Sequence, residues 1–171
     1  METGYIQVYT GSGKGKTTAA LGLALRCLCA GNRVFFGQFM KGRETSEQKA
    51  PAYLPGLTME QFGAFHFVGG APSEEDRRQG QAGLVRMKEV LQSGEYDLVI
   101  FDEINTALAY EIVTLEQFAE VLQCRLPQTE VVLTGRGAPD AVLRCADLVT
   151  EMKEIKHYYN SGVPARVGIE E

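Results

Sequence analysis

Short, dense apolar runs alternate along this chain with stretches of helical spacing. Tyr5 to Tyr9 (YIQVY) is β-branched and aromatic, which predicts a first strand. Lys16 to Ala30 (KTTAALGLALRCLCA) is built of helix formers, with Gly31-Asn32 as its stop. Arg33 to Phe39 (RVFFGQF) reads as a second strand and KGRETSEQKAPAYLPG after it as a polar, mobile connection. Leu57 to Phe62 (LTMEQF) reads as a short third strand, followed by an aromatic loop, FGAFHFVGGAP. Ser73-Glu74-Glu75-Asp76 puts a capping serine and three acids at the positive end of a helix dipole. The apolar positions of that helix, Leu84, Val85, Met87, Val90 and Leu91, keep helical spacing as far as Gly94. Asp97 to Phe101 (DLVIF) is a continuous apolar run, the pattern of a central parallel strand covered on both faces. A helix over Leu115–Leu122, a strand at Val131–Leu133, a short helix from Pro139 and a strand at Leu148–Met152 complete the alternation. The tail HYYNSGVPARVGIEE reads as a loop with a short edge element.

Strands alternating with helices predict an α/β fold with helices on both faces of the sheet, and ligands bound at the carboxyl ends of the strands. With 171 residues the chain forms one domain, residues 1–171. The net charge is −5, from 17 Lys+Arg against 22 Asp+Glu, which argues against nucleic acid as the main partner. No apolar run approaches the ~20 residues of a membrane span, and METGYIQVY carries no secretory pattern, so the cytoplasm is expected. Cys27, Cys29, Cys124 and Cys145 form no CxxC pair and are expected to be reduced packing residues.

The first strand runs into TGSGKGKTTAA, residues 10 to 20. A strand, a glycine-rich loop ending in GK[ST], and a helix form a phosphate-binding arrangement. Aligned on Gly15-Lys16-Thr17, Thr10 stands where the first glycine of that pattern belongs, and Gly11, Gly13 and Gly15 keep the backbone free to turn its N–H groups inward. The backbone from Gly11 through Ser12, Gly13, Lys14, Gly15, Lys16, Thr17 and Thr18 would cradle the phosphates at a helix N-terminus. Lys16 would bridge phosphate oxygens, and the Thr17 hydroxyl would ligate Mg²⁺ or Mn²⁺. The strand end LVIFDE supplies Asp102 and Glu103 as the acids that hold the metal. Together these features predict a P-loop, RecA-like, three-layer α/β/α domain with a mostly parallel central sheet, binding a nucleoside triphosphate. They leave open which bond of that triphosphate reacts.

GSGKGKTTAALGLALR, VFFGQFMKG, YDLVIFDEINTALAY, VVLTGRGAP, ADLVTEMKEIKHYYNSGV and a final GIE follow one another in that order. This set resembles the ATP:corrinoid adenosyltransferases of the CobA/BtuR type, from Tyr5 to Glu170. The resemblance implies that cobalt(I) of a reduced corrinoid attacks the 5′ carbon of ATP, so that inorganic triphosphate leaves whole. It also implies a homodimer and an electron-donor protein that reduces the cobalt. Cobalt(I) is its own nucleophile, so the protein need supply only positioning and charge stabilisation. Lys16, Thr17 and Glu103, with Arg26 and Arg136, are the residues expected to stabilise the leaving triphosphate.

For the corrinoid, related enzymes carry a G-x-G-F-T-W segment that displaces the lower cobalt ligand. Phe65 matches its phenylalanine and Phe67 replaces its tryptophan, while Ala64 and His66 depart from it. Asn105, Ala109 and Tyr110 are expected to form another part of that apolar wall. Some relatives also cover the corrinoid with a helical segment ahead of the first strand, where this chain has four residues before Tyr5. Two other readings are an NTPase or kinase acting at the γ-phosphate, with Glu103 as its base, and a non-catalytic, ATP-gated corrinoid carrier.

Overall fold

The protein is described from a computed structural model over residues 2–64 and 71–170. Strand β1 (Ile6–Thr10) feeds the glycine loop and helix α1 (Lys16–Cys29), which is followed by β2 (Val34–Phe39). A short 3-10 helix (Ser46–Ala52) leads to β3 (Leu57–Phe62), and α2 (Glu74–Ser93) leads to β4 (Leu98–Asp102). Helices α3 (Ile104–Ala109) and α4 (Leu115–Leu122), strand β5 (Glu130–Thr134), helix α5 (Asp140–Cys145) and strand β6 (Leu148–Glu151) follow.

The six strands form one sheet in the order β3-β2-β4-β5-β1-β6, and all five neighbouring pairs are parallel. The sheet is thus wholly parallel rather than mostly so. One strand, β5, lies between the loop strand β1 and the acidic strand β4, the RecA-like spacing. Alternate residues of each strand serve opposite faces. Val34, Phe36, Leu98, Ile100 and Val132 pack under α1 through its buried Ala20 and Ala24. Phe35, Phe39, Val99, Phe101, Val131 and Leu133 pack under α2 to α5. The continuous apolar run of β4 is buried along its whole length because both faces are covered.

Helix α2 starts where the sequence places it: Ser73 accepts from the Asp76 N–H at 3.2 Å, and Asp76 accepts from the Ser73 N–H at 2.9 Å. Helix α3 has no counterpart in the sequence reading. It follows β4 directly, with Glu103 in a left-handed turn (φ 60°), so no glycine or proline marks its start. The connection after β2 is structured: it holds the 3-10 helix, ties Gln48 to Gln38 at 2.6 Å and packs Ala50 and Leu54 on the core. Strand β6 is exposed at every residue, since it is the edge strand beside β1 and, among the described residues, no helix covers it. The tail is largely loop; its short element is a 3-10 turn (Tyr158–Ser161), and it is closed by Tyr158, Arg166 and Glu170. Cys29 and Cys145 are exposed, not packed, and all four cysteines are unpaired. Among the described residues no helix is long and apolar enough to cross a membrane. Phe65, His66 and Phe67 lie outside the described residues.

Candidate phosphate and metal site

The glycine loop turns through left-handed conformations at Gly11 (φ 95°) and Gly15 (φ 115°). At Gly11 a side chain is excluded twice over, because a Cβ would stand 2.5 Å from the Met152 carbonyl oxygen. Met152 follows β6, and its carbonyl also accepts the Gly13 N–H at 2.7 Å. Thr10, in the place of the first glycine, is the last residue of β1, and its hydroxyl accepts the Ala138 N–H at 3.4 Å. Thr10 therefore ties the phosphate loop to the loop after β5. Lys14 is exposed, and its Nζ donates to the Ile169 carbonyl at 3.3 Å, so the tail lies against the loop. Ser12 and Thr18 are exposed.

Lys16 is 7% exposed, and its Nζ donates to the carbonyls of Gly11 at 2.8 Å and Gly13 at 2.7 Å. Burial pushes its pKa below the ordinary lysine value. Glu103 and Asp102 act against that shift, and Arg136 acts with it. The ammonium is thus folded back on its own loop, with the charges of Glu103, Asp102 and Arg136 close enough to be felt.

Asp102 is the hub of the site and is fully buried. Its Oδ1 accepts from Thr17 Oγ1 at 2.9 Å and from Thr134 Oγ1 at 2.6 Å. Its Oδ2 accepts from Gln38 Nε2 at 3.2 Å and Lys41 Nζ at 3.1 Å. Four donors fill the roughly four acceptor positions of a carboxylate. The structure thus places Asp102 beside Thr17, as the sequence predicts, with its acceptor positions engaged by protein donors and its contact with Thr17 made to the hydroxyl proton. Thr17 thereby keeps its oxygen lone pairs for another partner. Glu103 is less committed, since Oε2 accepts from Thr106 Oγ1 at 2.6 Å and Oε1 meets no donor among the described residues. Thr17 and Glu103 are hard oxygen donors suited to Mg²⁺ or Mn²⁺. Among the described residues no group of three His, Cys, Asp or Glu could hold a metal alone, so phosphate oxygens would complete the shell.

Arg136 is brought to the site and Arg26 is not. The Arg136 backbone N–H donates to Thr106 Oγ1 at 2.9 Å, which ties its loop to Glu103. Gly135 (φ 132°) allows this approach, since a Cβ there would be 2.7 Å from the Thr106 backbone nitrogen. Arg26 is exposed in the last turn of α1. Ten residues of helix set it about 15 Å along the axis from Lys16. Asn105 is also misplaced by the sequence reading, because it is fully buried and its Nδ2 donates to the Leu133 carbonyl at 3.3 Å. It braces α3 on β5 and cannot line a wall. Ala109 and Tyr110 are exposed at the end of α3, with Ala109 Cβ 3.4 Å from where a Cβ on Gly137 would lie.

Gln38, Lys41, Glu47, Thr106 and Thr134 belong to the site but were not singled out from the sequence. The signal that could have found Lys41 and Gln38 is the neighbouring strand: Gln38 lies near the end of β2, the strand beside β4, and Lys41 follows that end by two residues. Burial works to lower the Lys41 pKa, but Asp102 and Glu47 outweigh it and hold the pKa above the ordinary value.

With this geometry in hand, comparison with known proteins is decisive. The sequence profile of ATP:corrinoid adenosyltransferase BtuR/CobO/CobP matches residues 2–170. The chain belongs to this family. The corrinoid adenosyltransferase of Escherichia coli K12 is 33% identical, covering 99% of this chain and 86% of that protein. The corrinoid adenosyltransferase CobA of Salmonella typhimurium LT2 is 33% identical with the same coverage. A Sinorhizobium corrinoid adenosyltransferase is 34% identical over 99% of this chain and 81% of its own length. The family's members are enzymes, and its match runs through both the phosphate loop and the tail that packs against it.

Proposed function

We propose that this enzyme transfers the 5′-deoxyadenosyl group of ATP to cobalt(I) of a reduced corrinoid and releases inorganic triphosphate. The observation that carries this reading is the family match over residues 2–170 joined to a buried phosphate-loop lysine and a Thr17 hydroxyl oriented by Asp102. The substrate supplies the nucleophile, so this chain's residues bind, orient and neutralise. Lys16 leaves its carbonyl partners and bridges phosphate oxygens. Thr17, oriented by Asp102, and Glu103 would hold a divalent cation, and the chemistry it would supply there is positive charge beside the triphosphate. Arg136 adds charge from the loop after β5. Phe65 and Phe67 face the corrinoid in this proposal, and Tyr110 borders it. The protein works in the cytoplasm as a homodimer and receives corrinoid reduced by an electron-donor protein.

The testing experiment incubates the enzyme with ATP, Mg²⁺, a corrinoid and a strong reductant, then identifies the phosphate product and the upper cobalt ligand. Triphosphate with an adenosyl–cobalt bond is expected. ADP or single phosphate would instead support a γ-phosphate reaction, and ATP-dependent corrinoid binding without product would support a carrier.

A further inference from the structure

We infer that Lys41 is a built-in cation which occupies the Asp102 carboxylate and makes divalent-metal binding depend on the nucleotide. The inference rests on the metal–triphosphate site proposed above and deepens it. Asp102 is 0% exposed, and a buried carboxylate needs a charge partner. The partner present is the Lys41 ammonium, 3.1 Å from Oδ2, and Oδ1 is already closed by two threonine hydroxyls. A divalent ion reaching this carboxylate would have to expel a lysine, leaving Thr17 and Glu103 as the ligands that the protein itself can offer.

Lys41 is held in place from several directions. Met40 adopts a left-handed backbone (φ 58°), uncommon for a residue other than glycine, and anchors itself through its N–H to the Phe62 carbonyl at 3.0 Å. That turn brings the next side chain, Lys41, to the end of β4. Glu47, from the 3-10 helix, stands 3.4 Å from Nζ on another side. Gln38 Nε2 bonds both carboxylates, at 3.1 Å to Glu47 and 3.2 Å to Asp102, and keeps the two acids at the lysine. Gln48 and Gln61 hold the Gln38 carbonyl oxygen at 2.6 and 3.2 Å. Such a frame holds the ammonium at the carboxylate, where no weakly held surface lysine would stay. Two protein ligands are too few for a hard cation that takes about six oxygens, so the metal is retained only when phosphate oxygens arrive with it.

Mn²⁺ binding followed by electron paramagnetic resonance tests this on the free protein. Nucleotide-free wild type should bind Mn²⁺ weakly and bind it firmly once ATP is added. Lys41→Met should bind Mn²⁺ without nucleotide at least about tenfold more tightly, since it uncovers a buried carboxylate. Lys41→Arg should keep the wild-type weakness, and adding Asp102→Asn to Lys41→Met should abolish the gain. Unchanged Mn²⁺ affinity in a folded Lys41→Met, or a gain shared by Lys41→Arg, would overturn the inference. If Lys41→Met does not fold, tight Mn²⁺ binding by the nucleotide-free wild type would overturn it alone, and weak binding there would support it. Absence of Mn²⁺ binding even with ATP would instead count against the metal–triphosphate site itself.

Discussion

At the scale of single residues, the site is a set of charges arranged around two lysines with different duties. Lys16 is buried on its own loop and holds two carbonyls that phosphate oxygens would replace. Lys16→Ala should lower turnover by about a hundredfold or more, the order seen when one stabilising group aimed at developing charge is removed. Its circular dichroism should stay unchanged, and near-normal turnover would remove the residue from the site. Glu47 gives a pH test. Burial raises its pKa, but backbone N–H, Gln38 and Lys41 contacts outweigh that and hold it below the ordinary carboxylate value. A carboxyl depressed in the folded state stabilises the protein above its ordinary pKa, and that contribution is lost as pH falls through the lowered value. Urea midpoints measured from about pH 5 down to about pH 3 should therefore fall less steeply for Glu47→Gln than for wild type. Equal slopes would show that Glu47 contributes nothing to acid stability. These residue roles differ in legibility. Lys16 and Thr17 stand in a local pattern, whereas Lys41, Glu47 and Thr134 lie far from it in sequence, and only strand adjacency brings them to Asp102.

At the scale of elements, local rules succeed where the determinants are local. Helix α2 carries a cap, three first-turn acids and a left-handed Gly94 at its end, and its span is fixed by neighbours within a few residues. Ser73→Ala removes the capping hydroxyl and should cost about 1 kcal/mol, read as a lowered urea midpoint with an unchanged slope. A wild-type midpoint would mean that packing alone sets the helix start. Helix α3 has no local sequence signal because its first residue follows a strand without a breaker, and its six residues are held by burial of Ile104, Ala107 and Leu108. The 3-10 helix at Ser46–Ala52 looks like a loop in a polar sequence, yet glutamine contacts to Gln38 organise it. Arg26 shows the converse limit. Its helix was correctly read, but helix length carries it away from the phosphate loop.

At the scale of the whole molecule, one sheet covered on two faces carries the stability and delivers the site to its carboxyl edge. Phe101 stands in this core, 6.3 Å from Phe39 and 5.9 Å from Phe118 between ring centres, and joins β4 to β2 and α4. Phe101→Ala should cost about 3–5 kcal/mol, a large part of the ~5–15 kcal/mol of a typical domain. Calorimetry should show a clearly lower melting temperature, and loss of less than a degree would deny Phe101 this role. The α/β class, the alternation of the six strands with the longer helices, the glycine loop and the acidic strand end were set by the sequence alone, because each depends on residue types within one element or one turn. The meeting of β1 with β5 and β6, the capture of Asp102 by Lys41, the contact of Met152 with the phosphate loop and the burial of Asn105 were decided only by tertiary structure. Those contacts join residues far apart along the chain, and their distances follow from sheet order and register, which no local periodicity encodes.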